Sequence, residues 1–340
     1  LGADQRKELR ALGFTAAAIH PNAGIFRGSA QVSLLGDEPR AARTVRENAG
    51  TCVAFETTGG NEDSPDAWDR ATYPGALIGA IALQRQTFAD AAWHAQCEEV
   101  WRAHPAGNEP PVLANALTAL HAAAAGKDRV WFDAADERNL LRADALAREM
   151  KLDAAIVGSG REYRRLAEVR AAARPVVVPF DFPRTPDVQT PRAVDAVPLR
   201  ELEHWALAPT NLAELLHAGV PTAASTVRLK DVGGFAKAAR RAMDCGTTED
   251  ELVAALTVNP ARMLGISEVA GEVRAGRIAN LVVCKGPIFG EDSKVREVWI
   301  AGLRHEVDPA SKFPLKGVYA LAAPDTAGVF TTLPESVTID

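Results

Sequence analysis

The side chains able to do chemistry in this chain are few and scattered. Its seven histidines are His20, His94, His104, His121, His204, His217 and His305. Its four cysteines, Cys52, Cys97, Cys245 and Cys284, show no C-x-x-C spacing. Neither a thiolate zinc cluster nor a disulfide framework is expected, and the thiols read as small buried hydrophobes. The sequence has no G-x-S-x-G elbow, no P-loop and no dinucleotide fingerprint. What remains are polar residues at the ends of strand-like runs. Asp133 closes Arg129–Phe132; a carboxylate there can bind a cation, or it can cap the helix starting near Glu137 or hydrogen-bond a loop, the reading we favour. Gly158-Ser159-Gly160 could hold an anion on backbone N–H groups, although a tight strand-to-helix turn needs glycine just as much. A mouth lined by His20, Asn22, Asp133, Ser159, Glu162, Asp181 and Thr226 could bind a small polar molecule.

The elements that must position these residues follow from apolar periodicity. Strands are expected over Thr15–Ile19, Gln31–Leu35 and Thr51–Phe55, the first ending at His20 and facing the mouth. A long helix or helix pair spans about 75–102, and a second helix lies near Val112–Ala125. The rhythm then becomes regular: strand Arg129–Phe132, helix Glu137–Met150, strand Ala154–Val157, helix Arg161–Ala173, strand Val176–Pro179. A Pro-rich loop, Asp181–Pro198, precedes helix Asn211–His217 and strand Thr222–Ala224. Helices Gly234–Asp244, Glu249–Leu256 and Pro260–Leu264 follow, then β-strands at Ile278–Cys284, Val295–Ala301 and Leu303–Val307. Strand–helix alternation at this spacing implies parallel strands with right-handed crossovers.

Bulk properties narrow the partners. A formal net charge of −6 argues against a nucleic-acid-binding surface. The longest apolar run, Ala76–Leu83, is too short to span a membrane. Arg161, Arg164 and Arg165 read as a solvated helix face, and Arg85 and Asp90 as paired or solvated.

Two segments carry a family resemblance. They are Leu256–Gly265 (LTVNPARMLG) and Gly271–Gly286 (GEVRAGRIANLVVCKG). Their Thr257, Asn259, Pro260, Ala261, Leu264 and Gly265, with Gly271, Val273, Gly276 and Ala279–Val283, resemble the end of an amidohydrolase-superfamily (imidazolonepropionase-like) protein. The resemblance implies an α/β fold. A TIM-like (β/α) barrel over 1–265, incomplete at its N-terminus, is followed by strands of a small β-sandwich over 266–312 and the start of a further β segment over 313–340. It also implies one or two divalent metals at the C-terminal ends of the strands, where barrel active sites lie, holding a water of lowered pKa.

The ligands that the resemblance calls for are missing from this sequence. There is no H-x-H pair, although the chain opens at Leu1 inside a helical pattern (Gln5–Leu12) and the pair could lie upstream. Asp133 stands where a middle histidine is expected, and Gly158–Tyr163 offers no histidine at the next strand end. Val227 stands where an aspartate would hold metal and accept the proton of the attacking water. Neighbours Ser225, Thr226, Arg228 and Leu229 do not replace it. Asp133 and Val227 are therefore expected to be degenerate ligand positions, with no catalytic residue and no metal.

A narrower likeness lies in Tyr73-Pro74, Gly79–Leu83, Arg85–Phe88 and Asp90-Ala91, with Ile156–Tyr163 and Val298–Gly302. This set is similar to the first half of large tandem bacterial amidohydrolase-family proteins. The likeness implies a degenerate domain, inactive as this chain, that shapes or supports a second, catalytic half of a metal-dependent C–N hydrolase or forms a homo-oligomer. Two alternatives stay open. One is an active amidohydrolase with one divalent metal such as zinc on upstream H-x-H ligands; the other is a small-molecule binding module.

Overall fold

The computed structural model of the chain describes residues 1–57 and 74–309, with strand backbone at 317–320 and 336–339. Tyr73 and most of the tail beyond 309 lie outside the described residues. The N-terminal part holds α1 (Ala3–Ala11), β1 (Ala16–Ile19), β2 (Phe26–Ser29), β3 (Gln31–Leu34), α2 (Arg40–Arg43), β4 (Thr44–Arg46) and β5 (Thr51–Ala54). Helices α3 (Leu77–Ala103), α4 (Asn115–Thr118) and α5 (His121–Ala124) follow. Then come β6 (Arg129–Asp133), α6 (Glu137–Glu149), β7 (Asp153–Val157), α7 (Leu166–Ala172) and β8 (Val176–Pro179). Helices α8 (Pro191–Ala196), α9 (Leu199–Leu207) and α10 (Asn211–His217) lead to β9 (Thr222–Ser225). The chain continues through α11 (Phe235–Asp244), α12 (Glu249–Leu256) and α13 (Val258–Met263) to β10 (Leu281–Lys285), β11 (Lys294–Ile300) and β12 (Leu303–Glu306). Strands β13 (Gly317–Ala320) and β14 (Ser336–Ile339) pair antiparallel with each other.

The central sheet runs β2-β5-β6-β7-β8-β9. Strands β5 to β9 are parallel, and β2 joins the edge antiparallel to β5. The strands are continuous apolar runs because both faces are covered. Val53, Val130, Phe132, Ile156, Val176 and Val178 pack against the surrounding helices. The alternate residues Cys52, Trp131, Ala155, Val157 and Ala223 pack with Ala261, Met263, Leu264 and Ile266, at and just beyond α13. This period-2 division fixes the fate of Asp133. It lies two residues beyond Trp131, so it shares the inner face, at the C-terminal end of β6.

Helix α6 shows how the sequence docks an outer layer. Leu140, Ala143, Leu146 and Ala147 are its buried apolar residues, a spacing that sets one stripe of an α-helix on the sheet. Its N-cap is Asp136, which accepts from the Asn139 N–H at 2.7 Å. The capping role considered for Asp133 thus falls to Asp136.

A second antiparallel sheet, β10-β11-β12, follows α13. Strands β1, β3 and β4 form a third, also antiparallel. The sequence reading set Thr15–Ile19 in the barrel, whereas β1 pairs with β3 outside the parallel sheet. The reason is packing: Leu34 and Leu35 bury against Val298 and Ile300, joining the N-terminal strands to the C-terminal ones in one small core. The Pro-rich stretch after β8 contains α8, capped by Thr190, whose hydroxyl accepts from Ala193 N–H at 3.1 Å. Arg85 pairs with Glu149 on α6, and Asp90 accepts from Gln86 within α3. No helix among the described residues is long and apolar enough to cross a membrane.

Candidate functional site

The mouth of the parallel sheet is built around Asp133. In register with it lie Ala54, Val157, Val177 and Ala223, so Asp133 carries the only charge in that row. Both of its carboxylate oxygens are taken by guanidinium groups. Arg27 Nη1 donates to Oδ2 at 2.7 Å, and Arg228 Nη2 donates to Oδ1. Arg27 comes from β2, whose antiparallel sense brings its N-terminal half to the same end as the C-termini of the parallel strands. Its Nη2 also pairs with Glu56, just past β5, and its Nε donates to Gly24 O at 3.0 Å. Glu56 Oε2 in turn accepts from Gly24 N–H at 2.7 Å.

Arg228 follows β9, three strands along from β6 in the sheet order. In a flat sheet with about 4.8 Å between strands, β9 would stand about 14 Å from β6, well past the reach of an arginine side chain. Arg228 lies three residues past the end of β9, and that loop adds up to about 10 Å to the reach of its side chain. Arg228 Nε also donates to Gly158 O at 3.2 Å and Nη2 to Ala134 O at 3.0 Å, so it spans the ends of β6 and β7. The result is an alternating chain of charge, Glu56–Arg27–Asp133–Arg228, whose formal charges cancel.

Burial and neighbours tune these groups. The Arg27 side chain is 8% exposed. Burial works against its charge, but the Asp133 and Glu56 carboxylates outweigh that and hold its pKa above the ordinary guanidinium value. His20 lies against Trp131, ring centroids 5.2 Å apart, with Nδ1 3.6 Å from Cys52 Sγ. Burial pushes the His20 pKa down to about 4, with Asp133 opposing and Arg27 assisting. Burial likewise pushes the Cys52 thiol up to about 12. A nucleophilic Cys–His pair needs thiolate beside imidazolium; this pair is held neutral on both sides.

The other residues expected at the mouth divide into separate settings. Glu162 is fully buried. It accepts from Ser159 N–H at 2.6 Å, Ser159 Oγ at 3.0 Å and Asn211 Nδ2 at 2.7 Å. Ser159 and Glu162 therefore knit the turn after β7, with Asn211 Oδ1 accepting from Tyr163 N–H at 2.8 Å. A Cβ at Gly158 would meet Glu162 Oε1 at 2.7 Å, so a larger residue there would displace that buried carboxylate. Thr226 turns the chain, its carbonyl accepting from Leu229 N–H at 3.1 Å. Val227 is partly exposed and donates its N–H to Ser225 Oγ at 3.1 Å. Asn22 and Asp181 follow the ends of β1 and β8 and take no part in the Asp133 ion pairs. Arg27 and Arg228 were missed by sequence reasoning. The visible signal was an arginine directly after the position where a carboxylate was sought.

These residues do not fit a divalent metal. Asp133 offers no free oxygen, and a dication beside it would face two guanidinium groups at contact distance. The two arginines already supply the positive charge.

Residues 210–304, from α10 to the middle of β12, match the model of the amidohydrolase family. No curated protein sequence matches the chain significantly. Among solved structures, an amidohydrolase from Thermotoga maritima MSB8 is similar with a TM-score of 0.73 and 23% identity, covering 88% of this chain and 74% of that one. A Xaa-Pro dipeptidase with bound methionine in its active site matches more weakly, with a TM-score of 0.41 and 15% identity over 59% of this chain and 50% of that one. Residues 210–304 thus carry the amidohydrolase family's sequence pattern, and the sheets and helices of the chain share the fold of the Thermotoga maritima amidohydrolase.

Proposed function

We propose that this domain is a catalytically silent amidohydrolase barrel, serving as the structural or substrate-shaping half of a larger metal-dependent C–N hydrolase. The observation that carries the reading is the capture of both Asp133 oxygens by Arg27 and Arg228. With those oxygens engaged, and Val227 where a proton-accepting carboxylate is called for, neither of these two positions is left to hold or deprotonate a water. Two opposed ion pairs instead close the strand ends.

An exposed apolar face supports the idea of a partner. Helix α3 buries Ala80, Gln84, Phe88, Ala91 and His94 toward the core. Its outer side carries Ile78, Trp93 and Val100, with Trp93 66% exposed. At about 100° per residue these three fall within an arc of roughly 60°. Trp93 and Val100, two turns apart on this side, are large apolar side chains open to a contact with a second domain or a second copy.

The test is turnover of amide, cyclic amide and dipeptide substrates by the full chain with added zinc, iron or manganese. The expected result is no activity above background. Turnover abolished by Asp133→Ala, together with loss of a bound metal in that variant, overturns the reading and favours an active hydrolase completed by upstream histidines.

A further inference from the structure

We propose that His94, Glu98 and His121 form a structural site for a divalent transition metal, zinc first among them, that ties α3 to the α4–α5 segment. Their ligand atoms lie within 4.8 Å of one another, one from each residue. His94 Nδ1 is 2.9 Å from His121 Nε2 and 3.8 Å from Glu98 Oε1. With metal–ligand bonds of about 2.0–2.1 Å, two ligand atoms of a tetrahedral zinc site stand about 3.3 Å apart. The two separations bracket that value.

The surroundings are those of a metal ligand set. His94 is buried, and its Nε2 lies 2.9 Å from Val112 O. A carbonyl can only accept, so the proton sits on Nε2 and the Nδ1 lone pair faces His121 and Glu98. Such an outer hydrogen bond orients metal-binding histidines. Glu98 lies one helical turn after His94, continuing the inward face of α3. Its Oε2 pairs with Arg102, which steadies the carboxylate and leaves Oε1 toward the imidazoles. Asp133 differs in having both oxygens held by guanidinium. Two imidazoles and one carboxylate suit zinc and leave a fourth position for water.

The site also has a structural task. Val112 and Leu113 are 82% and 87% exposed, so the connection between α3 and α4 has little apolar burial of its own there. The contact of Val112 O with His94 anchors it to α3, and the metal would lock His94 in that orientation.

The experiment uses the full chain stripped with a chelator, titrated with Co²⁺ and followed by visible ligand-field absorption, with Zn²⁺ titration followed by thermal shift. The wild type is expected to bind about one Co²⁺ per chain with the absorption of a four-coordinate N/O site and to melt higher with Zn²⁺. Affinity should fall at least about tenfold in His121→Ala and in Glu98→Gln. The second variant serves if the first fails to fold. Asp133→Asn should leave binding unchanged, which separates this site from the barrel mouth. Absence of Co²⁺ bands in the wild type, or bands that persist in Glu98→Gln, overturns the proposal; bands lost only in Asp133→Asn place the metal at the mouth and overturn it as well.

Discussion

Arg228 reaches Asp133 from a left-handed backbone conformation, with φ of 68°. That region costs an L-residue with a Cβ roughly 1–2 kcal/mol. Strain of this kind persists where the surroundings hold the residue in place, and the ion pair with Asp133 and the bonds to Gly158 O and Ala134 O do so.

Two substitutions at this position separate the pair from the strain. Arg228→Ala loses the ion pair and keeps the strained backbone; Arg228→Gly loses the pair and relieves it. Denaturant unfolding should rank wild type above Gly and Gly above Ala, the two variants differing by about 1 kcal/mol. Equal stability of the two variants would show that the conformation is not strained.

Removing Arg27 should cost more. Arg27→Leu leaves Asp133 without its buried partner and Glu56 unpaired. Breaking a buried pair from one side costs about 3–5 kcal/mol. Double replacement, Arg27→Leu with Asp133→Leu, should recover part of that loss. Arg85→Ala breaks an ion pair on the outer surface and should leave the unfolding midpoint unchanged.

Stability should depend on pH through two histidines. Burial holds the pKa of His20, and of His204 with help from Arg161 and Arg164, near 4 in the folded chain, against 6.5 ordinarily. Between these values the unfolded chain binds more protons, so stability is full above 6.5 and falls as pH drops toward 4. The slope approaches about 1.4 kcal/mol per pH unit for His20, and His204, being less buried, contributes less. His20→Gln should flatten the curve between those values; an unchanged slope would contradict the assignment.

Cys52 should resist alkylation. With its thiol raised to about 12, it carries almost no thiolate at about pH 8 and should react with iodoacetamide only on unfolding. Rapid labelling of Cys52 in the native chain would point to an activated thiol.

Glu162 should prove structural. Glu162→Ala removes the acceptor of three donors and should destabilise by about 3 kcal/mol. A ligand-binding role at this residue would instead leave stability little changed while altering ligand-induced melting shifts.

Much of the fold was legible because local patterns and tertiary packing agree. Helices Asn211–His217 and Glu249–Leu256 fall where periodicity puts them, and Thr248 and Glu251 form the reciprocal cap that opens the latter. The assignment of β1 to the barrel missed because a short alternating strand does not say which sheet it joins; the contacts of Leu34 and Leu35 with Val298 and Ile300 decide that. At the mouth, the position of Asp133 could be read from its strand, but its partners could not. Arg27 and Arg228 are 201 positions apart in sequence and meet at Asp133 only in the tertiary fold. The His94–Glu98–His121 group escaped for the same reason, since no H-x-H or C-x-x-C spacing announces a ligand contributed from another helix.

The most direct measurement is metal content and C–N hydrolysis compared between wild type and Asp133→Ala. If the arginine pair stands in place of a catalytic metal, neither protein turns over an amide and the metal bound per chain is the same in both. A metal that leaves with Asp133, taking hydrolytic activity with it, contradicts the account.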